Sequence, residues 1–140
     1  MAGDDETIAL RRPRLKIFHP PSNSCIFRRG NENPLTLAPC TQCDSWNYTP
    51  QKFLTIAGTY YCLKAVGPSL PAKLSISCSV SDSQWNVVSD SGKGRISMNL
   101  ADETELCLDV DDSGTIVTNP CRSVSASDGD SQWFQLNKFC

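Results

Sequence analysis

The groups in this chain with a capacity for chemistry are few enough to weigh one by one. Eight cysteines, one histidine and fifteen carboxylates stand among 140 residues. His19 is the sole imidazole and precedes Pro20-Pro21, so any mechanism needing two histidines is excluded. No serine sits in a nucleophile motif that would complete a triad. No two of the acids are marked by context as the acid and base of glycoside hydrolysis. Cys40-Thr41-Gln42-Cys43 has the spacing of a zinc or redox motif. A zinc site wants a second such pair, which the chain lacks, and a redox pair wants a helix starting at Cys40. Asp109-Val110-Asp111-Asp112-Ser113-Gly114 imitates the start of a calcium loop, but Pro120 stands at the twelfth position, where a bidentate glutamate is required. No metal, cofactor or catalytic residue is assigned, and the function classes narrow to binding and structure.

The cysteines become informative through their spacing. Cys25, Cys62 and Cys107 are separated by 37 and 45 residues, and Cys40, Cys78 and Cys121 by 38 and 43. Trp46, Trp85 and Trp133 follow the same beat, at steps of 39 and 48. The local wording agrees: Asp44-Ser45-Trp46, Asp82-Ser83-Gln84-Trp85 and Asp130-Ser131-Gln132-Trp133, with Cys25-Ile26, Cys62-Leu63 and Cys107-Leu108. A threefold repeat is the reading, each repeat forming one supersecondary unit. Repetition selects the disulfides Cys25–Cys40, Cys62–Cys78 and Cys107–Cys121 out of the 105 pairings eight cysteines allow; buried free thiols are the alternative. Each bond would close a loop of about 15 residues and contribute on the order of 3 kcal/mol in the chain-entropy model. Cys43 and Cys140 fall outside the scheme and either pair with each other or stay free.

The elements that must position these groups read as strands. Phe53–Ile56, Tyr60–Leu63, Leu74–Cys78 and Trp85–Val88 are short and rich in β-branched and aromatic residues. Gly67-Pro68, Asp90-Ser91-Gly92, Asp112-Ser113-Gly114 and Asn119-Pro120 punctuate them. No ten-residue stretch has a helical apolar period. The fold class expected is all-β, and three equivalent units of about four strands close most economically as a β-trefoil, which leaves no exposed strand edges. The predicted organisation is a loose tail over residues 1–13 and one domain over 14–140, with repeats at about 14–56, 57–98 and 99–140. Trp46, Trp85 and Trp133 are expected in its core, each burying a large ring where the units meet.

Charge and ends bound the partners. The net charge is −2 (13 basic, 15 acidic groups) with pI near 5.3, which argues against a nucleic-acid surface, and no membrane span is present. The cluster Arg11, Arg12, Arg14 and Lys16 reads as a solvated linker. The opening MAGDDETIAL lacks the apolar run of a secretory signal. Because an even, high cysteine count suits an oxidising compartment, the chain is expected to be a piece of a longer extracellular or secretory-pathway protein, with a cytoplasmic protein as the alternative. Asn47-Tyr48-Thr49 fits a glycosylation sequon beside a core tryptophan, where occupancy is not expected.

Cys107-Leu108-Asp109-Val110, a turn with Gly114, then Cys121 and Gln132-Trp133 resemble the ricin B-type lectin domain with its Gln-x-Trp repeats. The likeness runs from about Arg14 to Leu136. Trp46-Asn47-Tyr48-Thr49-Pro50-Gln51 and Gly58-Thr59-Tyr60-Tyr61-Cys62-Leu63 also look like the C-terminal module of plant cellulase-like proteins of glycoside hydrolase family 5. The resemblance implies a non-catalytic module that binds galactose-type glycans or cell-wall polysaccharide in shallow pockets, with a catalytic hydrolase domain as a possible attachment. An aspartate after the first cysteine would accept bonds from sugar hydroxyls, and an aromatic ring before the second would stack on the sugar. In the third unit these places hold Asp109 and Asn119, with Asp130-Ser131 before Gln132-Trp133. In the second they hold Lys64 and Ile76, and in the first Phe27 and Ala38. Asp109, Asn119 and Asp130 are therefore the expected carbohydrate contacts, unless Asp109 only stabilises the turn that follows. The alternative function is a structural or protein-interaction module that has lost its sugar sites; a trefoil protease inhibitor has no inhibitory loop to support it.

Overall fold

Brief apolar runs cut by Gly, Pro, Asn and Asp can form only short strands, and strand pairing must then satisfy their backbone groups. The computed structural model describes residues 15–90, 92–123 and 129–138. Within them lie β1 (Leu15–His19), β2 (Ser24–Phe27), β3 (Thr36–Ala38), β4 (Trp46–Tyr48), β5 (Leu54–Ile56) and β6 (Cys62–Lys64). They are followed by β7 (Lys73–Ser75), β8 (Asn86–Asp90), β9 (Lys93–Asn99), β10 (Glu105–Val110), β11 (Ile116–Pro120) and β12 (Gln135–Lys138). Short 3-10 turns span Pro20–Ser22, Cys40–Gln42 and Gly129–Gln132, and no α-helix occurs among the described residues. The fold is all-β. No helix among the described residues is long and apolar enough to cross a membrane. The predicted tail 1–13, Arg14 and Cys140 lie outside the described residues.

One pairing scheme occurs three times. The runs β1–β2–β3, β5–β6–β7 and β9–β10–β11 are each antiparallel. They are linked by β4–β5, β8–β9 and β12–β1, also antiparallel. Leu15 pairs with Trp46, Phe53 bridges to Gln84, and the Phe134 N–H donates to the Gly94 carbonyl at 3.0 Å. Strands β1, β4, β5, β8, β9 and β12 thereby follow one another around a closed, curled sheet. At one end the Ile116 N–H donates to the Leu35 carbonyl (2.9 Å) and the Ala72 N–H to the Ile116 carbonyl (3.0 Å), and all three side chains are buried.

The core follows the same beat. Ile17, Leu54 and Ile96 are wholly buried, as are Ile26, Leu63 and Leu108. The ring positions are filled by Trp46, Trp85 and Phe134, not by Trp133, which is only half-buried. The cause of this departure from expectation is register. Trp85 donates its N–H to Lys52, and in the third run the corresponding donor to β9 is Phe134. Ser83-Gln84-Trp85 thus corresponds to Gln132-Trp133-Phe134, one residue beyond the register that Asp-Ser-Gln-Trp suggests. Ser83 and Gln132 are both buried, as the first member of such a triplet must be. Trp133 instead lies under the Lys93 ammonium, 5.5 Å from the ring centre.

A second departure is local. The strand expected at 60–63 begins only at Cys62, and Tyr60 is 88% exposed. Gly58 at φ +80° turns the chain, the Thr59 N–H donates to Ile56, and the Thr59 hydroxyl accepts the Tyr61 N–H, so Tyr60 sits on a hairpin tip.

Candidate functional site

The hairpins β2–β3, β6–β7 and β10–β11 each carry a disulfide across or just beyond their open end: Cys25–Cys40, Cys62–Cys78 and Cys107–Cys121. These are the bonds the repeated spacing predicts. Cys43 is a buried free thiol, its Sγ within 3.2–3.3 Å of the Cys25, Ala38 and Pro39 carbonyls, and burial pushes its pKa up. Its backbone carbonyl accepts the Lys16 ammonium. A thiol of this kind is inert rather than redox-active.

In the third hairpin β10 ends as Leu108-Asp109-Val110, and the alternation that buries Leu108 would ordinarily turn Asp109 outward. It is nevertheless 1% exposed, because donors from Val110, Asn119, Arg122, Ser131 and Gln132 close on it. The Val110 N–H reaches Oδ1 at 2.8 Å. Asn119 Nδ2 (3.0 Å), Arg122 Nη2 (2.7 Å) and Gln132 Nε2 (3.3 Å) reach Oδ2. Burial pushes the Asp109 pKa up, but hydrogen bonds from Ser131, Asn119, the Val110 backbone and Gln132 outweigh it and leave the carboxyl below its ordinary range. The site therefore holds a fixed, buried anion at neutral pH.

Around that anion lies a cleft of about 460 Å³, lined by Asp109, Val110, Asp111, Asp112, Asn119, Arg122, Asp130 and Ser131. Asp109, Asn119 and Asp130 are thus brought to one place from β10, β11 and the 3-10 turn at Gly129–Gln132. Asp130 stands on the exposed rim, paired with the Lys93 ammonium at 2.5 Å. The turn that follows β10 is not stabilised by Asp109. Its neighbour Asp111 does that, with Oδ1 accepting the Ser113 N–H (2.9 Å), the Ser113 hydroxyl (2.8 Å) and the Thr115 N–H (2.9 Å), while Gly114 takes φ +84°. Asp109 is left to face the cleft. Among the described residues, no group of three His, Cys, Asp or Glu side chains could hold a metal ion.

Three contributors lay outside the sequence expectations. Arg122, directly after Cys121, gives its guanidinium to Asp109 and to the Ser131 hydroxyl at 2.9 Å. Gln132 clasps the 3-10 turn to the hairpin, accepting the Arg122 N–H at 2.9 Å and donating to the Pro120 carbonyl at 3.0 Å. His19 lies behind the turn, with Nε2 donating to the Ser131 carbonyl at 3.2 Å, Nδ1 facing the Ser22 hydroxyl at 2.8 Å and the ring 4.8 Å from Phe134. Only the position after a cysteine could have signalled Arg122.

The corresponding faces of the other two hairpins carry different groups. In the second, Lys64 pairs with Asp82 at 3.5 Å and Ile76 is 70% exposed. In the first, Arg28 pairs with Asp44 at 3.4 Å and its N–H donates to the same carboxylate at 3.0 Å, beside a half-buried Phe27. Neither offers a buried carboxylate where Asp109 stands.

No model of a known protein family matches the chain, and no curated protein does. Its fold is similar to that in a solved structure described as the crystal structure of hemolytic lectin CEL-III, with a TM-score of 0.61 and 18% identical residues. The likeness covers 91% of this chain and 33% of that one, so the chain spans about a third of the lectin's length. At this identity the likeness is one of fold, and the fold is one a lectin uses.

Proposed function

We propose that the chain is a ricin B-like β-trefoil that binds saccharide without catalysis, through one weak site in its third repeat. Its three repeats are assigned to about 14–56, 57–98 and 99–140. The observation that carries the reading is the cleft over Asp109: a buried, ionised carboxylate ringed by Asn119, Arg122 and Ser131, with Asp130 on the rim. Carboxylate, amide and hydroxyl groups in one cleft match the alternating donors and acceptors of a galactose-type sugar. With no aromatic ring among the described lining residues, the affinity expected is in the millimolar range, or about −4 kcal/mol. Useful attachment to cell-wall polysaccharide would then come from tethering to another domain, such as a hydrolase. Three disulfides fit an extracellular or secretory-pathway setting.

A second reading is favoured by one observation. Asp109 Oδ2 already accepts Arg122, Asn119 and Gln132, so its hydrogen-bonding capacity is filled from within. On that reading the repeat keeps its polar network for stability and the module serves as a scaffold or protein-interaction unit. A titration with galactose and with cell-wall oligosaccharides, followed by NMR, separates the two. Shifts of the Val110 backbone and the Asn119 and Gln132 side-chain amides support the saccharide site. Unmoved signals at millimolar sugar leave the scaffold reading.

A further inference from the structure

The loop between β6 and β7 does more than connect them. Pro68 bridges to Thr118 and Pro71 to Val117, the Ser69 N–H donates to the Thr118 carbonyl at 2.7 Å, and the Thr118 hydroxyl donates to Gly67 at 2.8 Å. This loop of the second repeat thereby grips β11 of the third. At its tip Ser69 adopts φ +64°, a left-handed conformation that costs any residue with a Cβ and collects where the surroundings hold a side chain in place for use. The Ser69 hydroxyl donates to Asn119 Oδ1 at 3.0 Å, while Asn119 Nδ2 donates to Asp109 Oδ2 at 3.0 Å.

We infer that Ser69 is a positioning residue of the saccharide cleft, so that the site is assembled from two repeats. The inference rests on the saccharide reading above. Asn119 lines the cleft, and its amide is held at both ends: Asp109 accepts one N–H, and Ser69 occupies the oxygen. The amide is then kept from flipping, its oxygen is turned toward Ser69, and its second N–H, without a partner among the described residues, is left for a sugar hydroxyl acceptor. Without Ser69 the amide keeps only its Asp109 contact and swings about it, so the donor is no longer fixed before the sugar arrives.

The test is a comparison of Ser69→Gly and Ser69→Asn with the wild-type chain, each titrated with galactose and a galactose oligosaccharide. Glycine accepts the left-handed backbone without strain and lacks the hydroxyl. Asparagine also tolerates that backbone and carries an N–H donor. The expected result is a threefold to tenfold loss of affinity in Ser69→Gly, roughly one neutral hydrogen bond, with its thermal midpoint unchanged or raised and with faster exchange of the Asn119 side-chain amide. Ser69→Asn is expected to recover most of the affinity. Wild-type affinity in Ser69→Gly overturns the role of Ser69 while leaving the saccharide site standing. A parallel fall in affinity and thermal midpoint overturns it as well, because that is the signature of loop damage. A wild-type chain that binds neither sugar overturns the underlying reading and this inference with it.

Discussion

Asp109→Asn weighs the polar network most directly, since it removes the charge and turns one acceptor oxygen into a donor without changing shape. In the native chain Oδ1 accepts one N–H and Oδ2 accepts three, from Asn119, Gln132 and the Arg122 guanidinium. An asparagine can turn its oxygen toward the three donors, but its NH₂ then meets the Val110 N–H; turned the other way, NH₂ meets three donors. Hydrogen bonds to a charged group contribute about 1.5–3 kcal/mol each, and removing one member of a buried pair costs about 3–5 kcal/mol. Asp109 is 2% exposed at the side chain but Arg122 is 30% exposed, so water can recover part of the guanidinium's loss. The expected cost is about 3 kcal/mol. Asp111→Asn is the control, because all three of its bonds use one oxygen that asparagine keeps; its cost should stay under about 0.5 kcal/mol. Urea denaturation under non-reducing conditions measures both. Equal costs for the two variants would refute the view that Asp109 is a buried anion held by converging donors.

Other consequences follow from register, burial and close approach. Phe134→Ala should destabilise by about 3–5 kcal/mol and Trp133→Ala by far less, since only Phe134 is wholly buried; denaturation curves with the reverse order would contradict the one-residue register. Gly94→Ala would set a Cβ 2.6 Å from the Phe134 carbonyl oxygen, both held by the β9–Phe134 backbone bond, so a loss of about 1–3 kcal/mol is expected by the same assay. Burial pushes the His19 pKa below its ordinary 6.5 against the opposing pull of the Ser131 carbonyl. The unfolded chain therefore takes the proton first, and stability that is full above pH 6.5 is lost as pH falls toward the folded value, then levels off. Thermal midpoints at neutral pH and near pH 5.5 should show that fall in the wild-type chain and little of it in His19→Asn.

Much of the fold was legible because it is periodic. The cysteine steps predict the three disulfides, since one hairpin geometry repeated three times brings the same two positions together each time. The strand class was legible from short β-branched runs between turn formers. Register in the third run was not, because Asp130-Ser131-Gln132-Trp133 is identical to Asp82-Ser83-Gln84-Trp85, whereas β9 fixes the alignment through the Gly94–Phe134 bond. The register of so short a match is decided by such a partner, not by its own sequence.

The candidate site divides the same way. Asp109 and Asn119 were visible because they occupy fixed distances from Cys107 and Cys121, and pairing of Cys107 with Asn119 across β10–β11 brings them together. Arg122 and Gln132 act through contacts made only once the hairpin and the 3-10 turn are docked. Ser69 lies 50 residues from Asn119, and no local pattern announces a loop that packs on the next repeat.

On the proposed reading, the cleft over Asp109 holds a saccharide. A crystal structure determined in the presence of a galactose oligosaccharide examines it in one step. Sugar density is expected in that cleft, with hydroxyls in hydrogen-bond reach of Asn119 and Asp109 or its Arg122 partner. A clear, unoccupied cleft at saturating sugar, or density confined to the Lys64–Asp82 or Arg28–Asp44 faces, would contradict it.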